Sequence, residues 1–124
     1  MHEKISDAEY VVMEALWDAA PDPLSASDVV DRVSGPRGWS AQTVKTLLSR
    51  LTAKEVVDTQ QDGRRFLYRP LVAREAYVTG ESRKLVDRLF GGRISPLVAH
   101  LAEQRQLSAD DISEIEALLK ELKS

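Results

Sequence analysis

Hydrophobic residues recur along this chain in short runs at helical spacing, and most runs begin just after a small polar residue. The first run is Val11, Val12, Ala15 and Leu16, with Trp17 adding a core-sized ring. Ser6 followed by Glu9 forms a capping box at its start. Proline disfavours helix in the residue before it, so the pattern predicts a stop ahead of Pro21-Asp22-Pro23. Leu24 begins a short strand. Ser25 with Asp28 caps a brief second helix through Val29, Val30 and Val33, which Gly35-Pro36-Arg37-Gly38 ends. Ser40 caps a third helix over about 41–54, with Val44, Leu47, Leu48 and Leu51 on its apolar face.

Two β-rich segments follow, 56–60 and 65–70, placed around an Asp62-Gly63 turn, which is a strong hairpin signal. Helical periodicity then resumes from about 73 to 90 with Val78, Leu85, Val86, Leu89 and Phe90 as the stripe. Gly80 is an interior flaw costing about 1 kcal/mol relative to Ala, and Gly91-Gly92 ends the helix. Ser95-Pro96 predicts the start of another helix with proline in its first position, carrying Leu97, Val98 and Leu101. Ser108 and Asp111 cap the last helix, whose apolar residues are Ile112, Ile115, Leu118, Leu119 and Leu122. The expected fold is mainly α with a small β wing. An N-terminal winged helix-turn-helix spans 1–71 and a helical region spans 72–124.

The polar face of the third helix offers Gln42, Thr43, Lys45, Thr46, Ser49 and Arg50, with no acid among them. Such side chains reach base edges and phosphates, although an ordinary amphipathic surface helix has the same two faces. The hairpin changes the balance. Three helices followed by a hairpin is the order of a winged helix-turn-helix, in which the third helix enters the major groove. Arg64 and Arg65 then fall at the wing tip, where a basic pair holds phosphates. Winged helices also serve as protein-interaction modules, so an adaptor without sequence-specific DNA binding remains the alternative.

Charge agrees with the first reading once its distribution is considered. The net charge of −3 divides into −7 over residues 1–31, +5 over 32–69 and −1 over 70–124. Phosphate attraction is screened beyond about 10 Å, so the local positive segment matters more than the total, provided its charges converge on one surface. The 124 residues suffice for one compact domain or two small ones, and 43% hydrophobic content supports a core. There are no cysteines, which excludes disulfides and thiolate metal sites. No apolar run approaches the roughly 20 residues of a membrane helix, and the N-terminus lacks a basic-then-apolar signal pattern. The expectation is a soluble cytoplasmic protein without membrane insertion. No histidine stands near a plausible nucleophile and no glycine-rich phosphate loop occurs, so neither catalytic residues nor cofactors are expected. Asp110, Asp111, Glu114 and Glu116 read as a capped, solvated helix face rather than metal ligands. His2 and His100 are too far apart in sequence to suggest a metal pair.

The last 50 or so residues are apolar on one side but too few to bury that side alone. Self-association is the economical solution, giving a homodimer with Leu85, Leu89, Phe90, Leu97, Val98, Leu101, Ile112, Ile115 and Leu119 in a shared core. The other arrangement folds these helices back on the N-terminal module as a monomer.

Glu14-Ala15-Leu16-Trp17, Trp39-Ser40 with Thr43-Val44-Lys45-Thr46-Leu47-Leu48 and Arg50-Leu51, and Leu89-Phe90-Gly91-Gly92 with Leu97-Val98-Ala99-His100-Leu101 follow one another along the chain. On these motifs the chain resembles, over nearly its full length, the penicillinase-repressor family: the BlaI/MecI group and its copper-responsive CopY relatives. The resemblance implies a homodimeric repressor that binds a palindromic double-stranded operator. It implies a reading surface of Gln42, Thr43, Lys45 and Thr46 beside the Ser40 cap, with the Lys45 cation suited to guanine O6 and N7. For Arg50 two roles stay open, binding phosphate or pairing with an acid of its own domain. The paired cysteines of the copper-responsive members are missing, so thiolate metal sensing is excluded. In antibiotic-responsive members, a membrane sensor-protease signal leads to cleavage of an Asn-Phe bond in the dimerisation region. The corresponding bond here is His100-Leu101, which leaves the protease and the inducing signal open. Cleavage there would cut an apolar helix out of the shared core and remove the avidity of two half-site contacts.

Overall fold

The computed structural model describes residues 4–35 and 37–124. His2 and Pro36, both named above, lie outside that set. The elements are α1 (Asp7–Ala19), β1 (Leu24–Ser25), α2 (Ala26–Val33), α3 (Ala41–Ala53), β2 (Val57–Asp62), β3 (Arg65–Pro70), α4 (Arg74–Phe90), α5 (Ile94–Glu103) and α6 (Ala109–Lys123). They form two compact units, Met1–Tyr77 and Val78–Ser124.

Side-chain caps set the starts of the first three helices. Ser6 Oγ accepts from the Glu9 amide at 3.1 Å while Glu9 Oε1 accepts from the Ser6 amide at 2.8 Å. Ser25 and Asp28 repeat the exchange at 3.1 and 3.0 Å, and Ser40 Oγ accepts from the Thr43 amide at 3.2 Å. Each bond satisfies an amide that has no partner inside its own helix. The apolar stripes of α1, α2 and α3 then meet in one core built on Val12, Met13, Leu16, Val29, Val44, Leu48 and Leu51. Val56 and Val57 close it from the sheet side.

The sheet order is β1-β3-β2, antiparallel throughout, with Leu24 opposite Tyr68 and Gln60 opposite Leu67. Its hairpin turn is shifted by one residue from the expected Asp62-Gly63. Asp62 pairs with Arg65, so Gly63 and Arg64 form the two-residue turn. Gly63 takes φ 66° at the first turn position, where the primed hairpin turns require a left-handed residue. Arg65, expected at the tip, is instead paired with Asp62 as the first residue of β3.

One charge is buried in this core. Glu9 is 1% exposed, and its Oε1 lies 2.6 Å from Nζ of Lys54, the residue capping the C-terminus of α3. Lys54 Nζ also donates to the Lys4 carbonyl at 2.8 Å. Burial by itself pushes the Glu9 carboxyl up. Hydrogen bonds from Lys54 and from Ser6 outweigh it and hold the group below its ordinary value. The pair ties the start of α1 to the end of α3 and so helps fix the axis of α3.

Trp17 Nε1 donates to the Val72 carbonyl at 2.8 Å, and Arg74 pairs with Asp18 at 2.6 Å with its guanidinium over the Trp17 ring. Tyr10, Trp17 and Tyr77 form a ring cluster with centroids 5.6–5.7 Å apart. These contacts draw the first turn of α4 into the N-terminal unit. The compact units accordingly divide inside α4, six residues beyond the 71/72 boundary expected from sequence.

In the second unit, Gly91 and Gly92 take φ 59° and 83°, and the Gly92 amide closes on the Val86 carbonyl at 3.1 Å. The expected start of α5 at Ser95-Pro96 is corrected. The helix begins at Ile94, with Arg93 at the N-cap position and no side-chain cap. Pro96 is therefore its third residue, which first-turn geometry tolerates because amides there have no intrahelical partner. Ser108 and Asp111 form a capping box on α6. Val86 is buried, while Phe90, Leu97, Leu101 and Ile115 are half-buried. Leu85, Leu89, Val98, Ile112 and Leu119 stay exposed, as do Ile94, Leu118 and Leu122. Among the described residues no helix is long and apolar enough to cross a membrane.

Candidate nucleic-acid interface

Burial of Val44, Leu47, Leu48 and Leu51 turns the opposite face of α3 outward, leaving Gln42, Thr43, Lys45, Ser49 and Arg50 exposed. Ser40 is committed to capping, and its hydroxyl also lies 3.2 Å from that of Thr43. Thr46 is half-buried and donates its hydroxyl proton to the Gln42 carbonyl at 3.0 Å, so toward a base it acts as an acceptor. No acid pairs with Lys45 or Arg50 among the described residues. Of the two roles open to Arg50, the internal ion pair is therefore not formed there.

The wing presents its two arginines differently. Arg64 sits in the turn, exposed and without an ion-pair partner among the described residues. Arg65 reaches back across the turn to Asp62, with Nη2 at 3.2 Å and Nε at 3.3 Å. Both partners are more than half exposed, and such a surface pair is worth at most about 1 kcal/mol. A phosphate can compete with it. Arg65 is thus a neutralised residue beside the tip, and Arg64 carries the free charge.

An open groove of about 580 Å³ separates α3 from the wing. Lys45 and Ser49 line one wall, Arg64 to Phe66 and Tyr68 the other, and Ser25 to Ser27 the end where α2 begins. Three cations and no acid line it. Lys45, Arg64 and Arg65 are brought together here, whereas Gln42, Thr43, Thr46 and Arg50 belong to the rest of the α3 face. Ser27, Phe66 and Tyr68 did not stand out in the sequence. Phe66 and Tyr68 share one strand face through their i, i+2 spacing, and that was the available signal.

In the second unit, the His100-Leu101 bond lies inside α5. His100 is exposed with its ring centroid 6.3 Å from that of Phe90, and Leu101 is half-buried.

A capped three-helix core, with α3 exposed beside a two-stranded wing, defines a winged helix-turn-helix protein. The sequence profile of the penicillinase repressor family matches residues 5–121, and the chain belongs to that family. It is 31% identical over 121 residues to the penicillinase repressor of Bacillus licheniformis, covering 98% of this chain and 93% of that one. It is 30% identical over 116 residues to the methicillin resistance regulatory protein MecI of Mammaliicoccus sciuri, covering 94% and 93%. Among solved structures it resembles the monomeric form of Bacillus licheniformis BlaI in complex with the blaP half-operator. That match has a TM-score of 0.52 and 31% identity, over 62% of this chain and 92% of the other.

Proposed function

We propose that this protein is a homodimeric transcriptional repressor that binds a palindromic operator through α3, with the wing gripping the flanking backbone. The acid-free groove between α3 and the wing carries the reading. It gathers Lys45 and Arg64, residues 19 apart in sequence, and leaves both without an ion-pair partner among the described residues. The unpaired Arg64 at the wing is suited to phosphate, and Lys45 with the exposed Gln42 and Thr43 is suited to base edges. The similar structure described above is a complex with a half-operator, which supports DNA binding by this fold.

Dimerisation is assigned to the second unit. Leu85, Leu89, Val98, Ile112 and Leu119 remain exposed in the single chain, and a second copy covers such a stripe at lowest cost. Two half-site contacts then add through avidity. Relief of repression follows from cutting α5 at His100-Leu101 in a sensor-protease pathway. A helical bond must first open locally to enter a protease, so cleavage is expected only where α5 frays. The soluble, DNA-bound location of such a repressor is the cytoplasm.

Fluorescence anisotropy of labelled duplexes at increasing salt tests the proposal. Specific binding is expected to weaken by about one log-log unit per neutralised phosphate. Affinity that does not change with salt, or no retained duplex, would favour the protein-adaptor alternative.

A further inference from the structure

The geometry points to Phe66 as a DNA-contacting residue whose ring lies on a deoxyribose of the operator backbone, beside the phosphate held by Arg64. This rests on the repressor reading given above and adds an apolar contact to it. Phe66 is 49% exposed, although it belongs to the strand that closes the sheet on β1 and β2. Its position is what makes that exposure informative. The ring borders the cationic groove and also a second hollow of about 230 Å³, lined by Ser49, Thr52, Thr59, Phe66 and Tyr68. Neither cavity has an acid in its lining. In this hollow the Thr52 hydroxyl donates to the Leu48 carbonyl at 2.8 Å, so the Thr59 hydroxyl, 3.2 Å away, donates to Thr52.

This arrangement matches the alternating chemistry of a nucleic-acid backbone. Cations and one large apolar surface line the same groove, and neutral hydroxyls line the adjoining hollow. A deoxyribose presents a mainly apolar edge between two phosphates, so one nucleotide step fills both requirements. A peptide partner of matching charge would be acidic, but it would bring no fixed apolar unit between successive charges. The commitment is therefore to duplex DNA backbone. A sugar contact carries no sequence information, so Phe66 should contribute equally at every operator variant.

The test uses the full chain labelled with 4-fluorophenylalanine and a duplex selected for tight binding. The chain has two phenylalanines, so two fluorine resonances arise, assigned with Phe66→Leu. In the free protein the Phe66 resonance should shift between H2O and D2O, and in the saturated complex that solvent shift should be lost. A ring that only spaces the wing from α3 would keep its wet edge and its solvent shift. Covering the exposed half of the ring corresponds to about tenfold in affinity. Phe66→Ala should therefore weaken binding by that factor, with the salt slope unchanged because no charge is lost. Phe66→Leu, which keeps an apolar wing side chain, should lose less. A full solvent shift in the saturated complex, or Phe66→Ala binding within twofold of the parent, overturns the proposal while leaving the repressor reading intact. Failure of the parent chain to bind any duplex overturns both.

Discussion

Lys54→Met isolates the buried Glu9 carboxylate and should destabilise the N-terminal unit more than any single exposed substitution. Glu9 is 1% exposed and keeps two donors on Oε1, Lys54 at 2.6 Å and the Ser6 amide at 2.8 Å. Its Oε2 has no hydrogen-bond partner among the described residues. Methionine preserves the packing of the lysine stem and deletes the charge. Removing one partner of a buried pair costs about 3–5 kcal/mol, because the remaining charge is left uncompensated. Lys54 is 20% exposed, so water reaches part of the site and the expected cost falls to about 2–4 kcal/mol. For a domain of this size that lowers Tm by about 10–30 °C.

The pH dependence of this loss has a definite sign. In the parent chain the folded Glu9 lies below its ordinary value of 4.5, so its contribution is complete above that value and disappears as pH falls through the folded pKa. In Lys54→Met the lowering by Lys54 is lost while burial remains, so the folded pKa rises relative to the parent and the variant lacks stability that the parent has above that point. The difference between the two proteins should be largest near pH 7 and should shrink toward pH 3.5. Other carboxylates titrate alike in both and cancel. Urea unfolding followed by circular dichroism at both pH values measures the difference. Glu9→Gln, which retains an acceptor for the Ser6 amide and frees Lys54 to solvent, should cost only about 1–2 kcal/mol. A Lys54→Met cost below about 0.5 kcal/mol at pH 7, or one independent of pH, would refute the assignment.

Lys45→Ala should cost about 1–3 kcal/mol of operator affinity and relax preference at one base position, as read by binding to single-base operator variants. If preference is intact, α3 does not lie in the groove as described. Arg64→Ala should weaken binding to all duplexes alike and reduce the salt slope by about one. Arg65→Ala should do less, because Asp62 already neutralises that guanidinium; the reverse ranking would misplace the wing tip. Truncation after Ile94 should leave a folded monomer with weak duplex binding, and a stable dimer of that fragment in sedimentation would contradict the division of roles.

Local chemistry made much of this fold legible from sequence. Ser6 with Glu9, Ser25 with Asp28, and Ser108 with Asp111 announce helix starts because each capping box is written within four residues. The start of α5 escaped that logic, since Arg93 supplies no cap and Pro96 fits the third helical position as well as the first. The hairpin was visible, but its register was not, because Asp62-Gly63 and Gly63-Arg64 are both acceptable turn pairs. That one-residue difference decides which arginine is free. Contacts between distant residues were beyond reach. Glu9 was readable as a cap, yet its partner Lys54 lies 45 residues away on another helix. The groove that unites Lys45, Arg64 and Phe66 likewise exists only once α3 and the wing have packed.

Selection of bound duplexes from a random pool by the full chain tests whether a dimer reads an operator through α3, because base preference and dimer geometry are recovered together. The expected product is an inverted repeat whose half-sites are separated by about one or two helical turns, roughly 10 or 20 base pairs from centre to centre. A pool without enrichment, or one enriched in a single unrepeated half-site, would contradict it.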